Sequence, residues 1–234
     1  MKNIAIILAG GSGNRFGADM PKQFLTVSGK MIIEHTIDVF ESHQMIDEIA
    51  IVCHEAYITE MQELIAKNEY TKVSRVLKGG KERYHSSLAA IEAFTDDYSN
   101  LLIHDGVRPL VTDRIITDCV EALNDYEAVD VAVETTDTII ELDEYGSIAR
   151  IPQRRLLRNV QTPQCFRRGT IAKAFSLALQ DPGFFPTDDC SLVYRYLPKV
   201  KIKVVEGEPM NIKITYKGDI EMMERIIKNR EGLL

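Results

Sequence analysis

The chain has 234 residues, with 28 Lys and Arg against 35 Asp and Glu, so its formal net charge at neutral pH is −7. A hydrophobic share of 45% and a charged share of 27% are typical of a globular protein and argue against a disordered or fibrous chain. An acidic chain also lacks the basic surface that sequence-independent nucleic-acid binding requires, so we expect no nucleic-acid partner.

The N-terminal apolar run ends at Gly10 and Gly11. It is too short to span a membrane and carries no signal-peptide cleavage pattern, so we expect a cytoplasmic protein with no membrane partner. The cysteines show neither a Cys-x-x-Cys pair nor metal-ligand spacing, which predicts reduced thiols. At ~150 residues per domain, the length fits a single domain over residues 1–234 with an appendage.

Short apolar runs alternate with amphipathic segments along the chain. Predicted strands cover residues 4–8, 49–52, 73–77, 101–104, 131–133 and 202–205. Predicted helices cover residues 31–41, 56–67, 82–94 and 113–123. Continuous apolar strands that alternate with helices indicate βαβ crossovers, so we expect an α/β, Rossmann-like three-layer domain with a mostly parallel sheet.

Residues 134–168 break this alternation. Thr-rich pieces at 135–140, a turn at 143–146 and a short run at 147–151 predict a β-hairpin that leaves the sheet as an arm spanning about residues 134–160. Between Tyr145 and Gln180 no acidic residue occurs, whereas arginines stand at Arg150, Arg154, Arg155, Arg158, Arg167 and Arg168. A solvated basic arm is one interpretation, and a surface that contacts a polyanion or a second subunit is the other.

Glycines follow the first predicted strand directly. The sequence continues as Ala9-Gly10-Gly11-Ser12-Gly13-Asn14-Arg15-Phe16-Gly17, and Lys22 comes shortly after. Successive free amides in such a loop bind anions, and the two cations add charge that suits a triphosphate. The spacing fits neither the Walker A motif nor the dinucleotide fingerprint, so a tight strand-to-helix turn is the alternative interpretation.

Asp105 follows the fourth predicted strand, in the segment His104-Asp105-Gly106-Val107-Arg108-Pro109. A carboxylate at the end of a central parallel strand points into the crevice where such sheets bind ligands. It is also a ligand that Mg²⁺ takes together with phosphate oxygens. Arg108 would steady Asp105 or hold a second anion. A turn closed by Asp, Gly and Pro is the alternative, and we expect a structural role for His104.

Further motifs carry polar residues. Gly79-Gly80 with Ser86 would let amides and a hydroxyl group bind the edge of a nucleobase, or would form only a loop. Gln161-Thr162-Pro163-Gln164 and Asn211-Ile212-Lys213-Ile214-Thr215 complete the polar set. Apolar neighbours would hold the ammonium group of Lys213 in one place. Thr187-Asp188-Asp189 predicts the acidic start of a helix.

Taken in order, these motifs resemble those of the cytidylyltransferases of the isoprenoid and teichoic-acid type, over essentially the whole chain. The resemblance implies that the phosphate of a small polyol phosphate attacks the α-phosphorus of CTP and releases pyrophosphate, with Mg²⁺ as the cofactor. It also implies a homodimer in which the hairpin arm reaches into the partner's site.

The same resemblance implies roles for individual residues. The catalytic cations would be Arg15, Lys22 and Lys213, and the metal ligand would be Asp105. The nucleotide would be bound by Ala9, Gly10, Gly11, Gly13, Gly80 and Ser86. The polyol phosphate would be bound by Arg108, Thr138, Arg154 and Thr162, of which Thr138 and Arg154 match residues delivered across the dimer.

Two branches share these motifs. The Leu8-Ala9-Gly10-Gly11 start, the His-Asp-Gly-Val-Arg-Pro segment and the absence of Trp favour ribitol 5-phosphate, with CDP-ribitol as the product. Thr187-Asp188-Asp189-Cys190 instead resembles the branch that uses 2-C-methyl-D-erythritol 4-phosphate, which is the alternative. A sugar-1-phosphate nucleotidyltransferase and a non-catalytic nucleotide-binding protein are the remaining hypotheses.

Overall fold

The computed structural model describes residues 1–11 and 20–230. Its strands are β1 (Asn3–Ala9), β2 (Thr26–Val27), β3 (Lys30–Met31), β4 (Glu48–Cys53), β5 (Val73–Lys78), β6 (Asn100–Asp105), β7 (Ala128–Glu134), β8 (Glu141–Leu142), β9 (Ile148–Arg150), β10 (Arg158–Arg167) and β11 (Ile202–Glu206). Its helices are α1 (Ile32–Ser42), α2 (Ile58–Lys67), α3 (Arg83–Ala93), α4 (Asp113–Ala122), α5 (Arg168–Ala178), α6 (Asp189–Tyr196) and α7 (Lys217–Arg230). The six strands and four helices predicted for the alternating part of the chain are all present, with ends that differ by a few residues.

The central strands are apolar throughout because the main sheet is covered on both faces. Within the described residues this sheet has seven strands in the order β11-β7-β10-β6-β1-β4-β5, and its pairs are parallel except those made by β10. Ile7 of β1 packs into the same core as Phe40 of α1, whereas its neighbour Ile6 packs into a second core with Phe175 of α5. The three-layer α/β architecture with a mostly parallel sheet is therefore confirmed.

Strand β10 was not predicted, because the sequence analysis expected an arm over about residues 134–160 and assigned no strand to residues 158–167. It lies antiparallel between β6 and β7, and its first residue, Arg158, already pairs with Glu134 of β7. The arm, expected over about residues 134–160, therefore lies before Arg158. The strand was missed because it is polar and contains Pro163, which has no N–H for pairing. The register with β7 shifts between Gln161 and Cys165, and Pro163 lies within that shift.

The arm is a small antiparallel hairpin of β8 and β9, closed by the predicted turn over residues 143–146. The carboxylate of Asp143 accepts hydrogen bonds from the N–H groups of Tyr145 and Ser147, at 3.0 and 2.8 Å. The strand-like pieces expected at 135–140 are absent, since these residues lie outside any strand. Large apolar side chains are exposed along the arm, at Ile139, Ile140, Leu142, Tyr145, Ile148, Ile151 and Leu156.

The helices in the described part of the chain include none that is both long and apolar enough to cross a membrane. Cys53, Cys119, Cys165 and Cys190 are all buried and free, in line with the reduced thiols expected from their spacing.

Candidate active site

The carboxyl ends of β1 and β6 lie side by side and open onto one cleft. Leu8 of β1 and Asp105 of β6 are paired in register, so the glycines after β1 and the carboxylate at the end of β6 face the same space. The cleft has a volume of about 650 Å³. Its lining includes these residues singled out from the sequence: Ala9, Gly10, Gly11, Lys22, Gly80, Ser86, Asp105 and Lys213. Segments distant in the chain therefore converge on one site.

The glycines let the loop after β1 lie close to α3. A Cβ atom on Gly10 would stand 3.2 Å from Ser86 Oγ, and one on Gly79 would stand 2.7 Å from the same oxygen. Because glycine has no Cβ, its backbone amide can lie close to Ser86 and to a ligand bound beside it. Gln23, which the sequence analysis did not single out, donates hydrogen bonds to the carbonyl groups of Ala9 at 2.7 Å and Gly11 at 3.2 Å. Its side-chain amide fixes the start of the loop.

Asp105 is the buried carboxylate at the centre of the cleft. Its Oδ2 lies 2.7 Å from Nζ of Lys213, and its Oδ1 lies 3.2 Å from Nε of Arg83. Burial alone would raise the pKa of Asp105, but the charges of Arg83 and Lys213 hold it well below its ordinary value. Asp105 is thus a permanent anion between two cations, and its position orients the ammonium group of Lys213.

Arg83 joins α3 to both β6 and α6. Its Nη1 lies 2.6 Å from Oδ2 of Asp189, a fully buried residue at the start of α6. Burial opposes the charge on Arg83, yet Asp189 and Asp105 raise its pKa above the ordinary value. The sequence analysis quoted neighbouring motifs but gave Arg83 and Asp189 no role in the site. The sequence offers one indication of this role, which is that Arg83 follows the Gly79-Gly80 pair after only two residues.

Lys22 and Lys213 lie on the same side of the molecule. Nζ of Lys22 donates a hydrogen bond of 2.6 Å to the carbonyl oxygen of Ile214, the residue next to Lys213, and both lysines line the cleft. Lys22, which precedes α1, and Lys213, which lies between β11 and α7, are thus brought together, as the sequence hypothesis required.

Arg108 and Thr162 lie beside the cleft rather than in its lining. Nη1 of Arg108 donates to the carbonyl oxygen of Asn211 at 2.8 Å. Thr162 is buried, and its Oγ accepts the N–H of Asp105 at 3.1 Å and lies 3.0 Å from Nδ1 of His104. Burial lowers the pKa of His104 to about 4, so this histidine is neutral at pH 7, which suits the structural role expected for it.

Thr138 and Arg154 lie on the arm and are exposed. Nη1 of Arg154 donates to the carbonyl oxygen of Thr136 at 3.1 Å, and neither residue lines the cleft of its own chain. Their predicted contact with the polyol phosphate therefore requires a second subunit. Gly13 and Arg15, which were also predicted to act in the site, lie outside the described residues.

The loop amides and the lysines can hold a nucleoside triphosphate at this edge of the sheet, and the buried carboxylate can hold a metal ion beside it, which is the arrangement that a nucleotidyltransferase needs. The family model IspD, described as 2-C-methyl-D-erythritol 4-phosphate cytidylyltransferase, matches residues 3–229. The chain belongs to this family, and it is a CTP-dependent cytidylyltransferase. The predicted enzyme class is confirmed.

Relatives of both substrate branches are similar to the chain. A 2-C-methyl-D-erythritol 4-phosphate cytidylyltransferase from Thermobifida fusca is 43% identical over 231 residues, covering 96% of this chain and 92% of the relative. A bifunctional ribulose 5-phosphate reductase/CDP-ribitol pyrophosphorylase from Haemophilus influenzae is 41% identical and is matched over 98% of this chain but only 49% of its own length. The crystal structure of a 4-diphosphocytidyl-2C-methyl-D-erythritol synthase from Anaerococcus prevotii superposes with a TM-score of 0.86 at 28% identity, covering 97% of this chain and 96% of that chain.

Proposed function

We propose that the protein transfers CMP from CTP to 2-C-methyl-D-erythritol 4-phosphate and releases pyrophosphate. The observation that carries this proposal is the convergence of Lys22, Lys213 and Asp105 on a glycine-lined cleft in a chain of this family. The family description and the Thermobifida fusca relative both name this polyol phosphate. The family description and this relative therefore support 2-C-methyl-D-erythritol 4-phosphate better than ribitol 5-phosphate, the substrate that the sequence details favour.

Ribitol 5-phosphate is the second candidate substrate. It is favoured by the 41% identity to the Haemophilus influenzae protein and by the Leu8-Ala9-Gly10-Gly11 start of the loop. The two substrates are both polyol phosphates, so the phosphate contacts would be shared and discrimination would rest on hydroxyl contacts.

The reaction needs in-line positioning rather than a covalent nucleophile on the protein. A phosphate oxygen of the acceptor forms a bond to the α-phosphorus of CTP while the bond from that phosphorus to the bridging oxygen of pyrophosphate breaks. Lys22 and Lys213 place positive charge where the transferring phosphoryl oxygens gain electron density. Arg15 would add to this charge. The amides of Ala9 and Gly10, with Gly80 and Ser86, would hold the cytosine and the triphosphate.

Asp105 fits the role of a magnesium ligand. In the part of the chain that the structure describes, no group of three or more His, Cys, Asp or Glu side chains converges as a cation cage. Mg²⁺ in phosphate sites needs only one or two carboxylates, because phosphate oxygens and water complete its octahedron. A carboxylate offers ~four lone-pair positions, so the ion pairs of Asp105 leave acceptor capacity. Bound there, the ion would neutralise charge on the phosphates.

Substrate identity is tested by measuring pyrophosphate release from CTP and Mg²⁺ with each polyol phosphate in parallel. We expect kcat/KM to be at least ~10-fold higher with 2-C-methyl-D-erythritol 4-phosphate, the scale on which a single group discriminates substrates. A preference for ribitol 5-phosphate would establish the second candidate, and no pyrophosphate with either acceptor would refute the proposal.

A cytoplasmic location stays a prediction from the sequence.

The exposed apolar side chains of the arm support a homodimer formed through it. We expect Ile148→Asp, which places a charge on an apolar side chain that is 59% exposed, to convert the dimer to a monomer in sedimentation velocity. Tyr98→Asp, which places the same charge on a large side chain that is 80% exposed and lies outside the arm, is the control and should remain dimeric. A wild-type protein that sediments as a monomer at micromolar concentration would contradict the arm's proposed role.

A site shared between subunits would make two different defects complement each other. We expect Arg154→Ala to raise KM for the polyol phosphate ~10-fold or more, because an exposed arginine delivered by the partner binds its phosphate. Mixing this variant with Lys22→Ala subunits should restore part of the activity, since one of the two sites in a mixed dimer then carries both intact residues. Activity equal to the sum of the separate variants would show that each subunit works alone.

A further inference from the structure

We infer that Gln161 and Asn211 are positioning residues. They hold the segment over residues 207–213, which carries Lys213, in place beside Asp105. Both side chains are buried, Asn211 completely, and neither belongs to the lining of the cleft. The inference rests on the proposed role of Lys213 in cytidylyl transfer. It assigns a function to two polar residues that the proposed reaction does not itself use.

Gln161 directs its whole side-chain amide at the segment that precedes Lys213. Its Nε2 donates to the carbonyl oxygen of Glu208 at 2.8 Å. Its Oε1 accepts from the N–H of Glu208 at 3.3 Å and from Nδ2 of Asn211 at 3.2 Å. A buried amide that is paired on both sides fixes its partner segment in one register, because each lost bond would leave a buried polar group unpaired.

Asn211 continues this attachment toward the cleft. Its Nδ2 also donates to the backbone carbonyl oxygen of Thr162 at 2.9 Å, and its backbone carbonyl oxygen accepts a hydrogen bond from Nη1 of Arg108. On the far side of Lys213, the N–H of Ile214 donates to the carbonyl oxygen of Val107 at 2.9 Å. The backbone is therefore attached to strand β10 on the N-terminal side of Lys213, and to the loop after β6 on its C-terminal side.

The lysine itself needs this support. Its side chain is 40% exposed, and its described ion pair is the one between Nζ and Asp105. A lysine side chain has many rotamers, so the position of its ammonium group depends on where its backbone is held. Catalysis by a positioned cation is sensitive to placement, and an error of ~1 Å can cost ~10²-fold in rate.

Gly207 shows independently how closely the segment approaches Gln161. A Cβ atom at this position would lie 2.4 Å from Oε1 of Gln161 and 3.0 Å from Cγ1 of Val131. Any side chain there must displace the amide of Gln161 or the backbone of the segment. Gly207→Ala therefore disturbs the same attachment without removing a hydrogen-bonding group.

The test is whether these substitutions act through Lys213. With CTP and the accepted polyol phosphate, Gln161→Met and Asn211→Ala are each expected to lower kcat ~10- to 10²-fold with little change in KM for CTP. In a Lys213→Ala background the same substitutions should cost less than ~3-fold more, because the side chain that they position is already gone. Gly207→Ala should show the same loss of effect, which keeps the test available if Asn211→Ala does not fold.

Asn100→Ala is the matched control. Asn100 is the same residue type as Asn211 and is also buried, but it lies at the opposite end of β6 from Asp105, where its side-chain amide pairs with Asn3 at 2.7 Å and Arg167 at 2.9 Å. Its effect on kcat should be the same factor with and without Lys213. If Gln161→Met and Asn211→Ala lower kcat by the same factor in the Lys213→Ala background as in the wild type, this inference is wrong, while the proposed role of Lys213 stands. A Lys213→Ala enzyme with normal kcat would overturn both it and the proposed role of Lys213.

Discussion

Lys22→Ala is expected to lower turnover by ~10²-fold or more, which is the scale for removing one donor that stabilises a transition state. The lysine lines the cleft, and its Nζ is held 2.6 Å from the carbonyl oxygen of Ile214, beside the segment of Lys213. Charge at a fixed position stabilises the transferring phosphoryl group more than mobile charge does, because no reorganisation is needed during the reaction. Steady-state pyrophosphate release, with both substrates saturating, measures the loss.

Lys30→Ala is the matched control for this variant. Lys30 is also close to the start of α1, but its Nζ pairs with Asp38 at the surface, at 2.6 Å, and its side chain is 53% exposed. An exposed ion pair contributes ~0–1 kcal/mol, so turnover and folding should both stay near normal. Turnover of Lys22→Ala within a few-fold of the wild-type value would exclude Lys22 as a catalytic cation.

Asp105→Asn is expected to have an effect of similar size on turnover and, in addition, to weaken the binding of Mg²⁺. The substitution removes the anion that orients Lys213 and pairs with Arg83, and it removes the carboxylate proposed to bind the metal. We expect turnover to fall ~10²-fold or more. The Mg²⁺ concentration for half-maximal rate should rise at least ~10-fold, since even loss of a residue that only supports a ligand costs that much.

Asp130→Asn separates these effects from simple loss of a buried acid. Asp130 is buried in β7, burial raises its pKa to about 6, and its Oδ1 accepts a hydrogen bond from Gln164. It does not line the cleft, so its variant should keep the wild-type dependence on Mg²⁺. Unchanged Mg²⁺ dependence in Asp105→Asn itself, measured by titration at saturating CTP, would refute its assignment as the metal ligand.

The parts of the fold that were predictable are those whose sequence reflects burial on both faces. Strands β1, β4 and β6 are continuous apolar runs, and the helices between them show an apolar face. Strand β10 has neither signal, because Gln161, Thr162 and Gln164 use its buried positions for hydrogen bonds to other segments. A polar strand with a proline is indistinguishable from a loop when only hydrophobic periodicity is considered.

The candidate site divides in the same way. The glycines, Lys22, Asp105 and Lys213 were found because each stands in a short motif whose residue types suit phosphate or metal binding. Arg83 and Asp189 were missed because their ion pair joins residues 106 apart in the chain, and the pair of Gln161 with Asn211 spans 50 residues. Contacts of that kind depend on how the sheet brings its strands together, which local spacing does not encode.

Strand β10 also limits where related chains can change in length. It extends from Arg158, at the base of the arm, to Arg167, and it places Thr162 beside Asp105. Since alternate side chains of a strand face opposite sides, one residue inserted between Arg158 and Gln161 would turn Gln161 and Thr162 away from their partners. Insertions should therefore be tolerated at the exposed turn over residues 143–146 and not at the base of the arm.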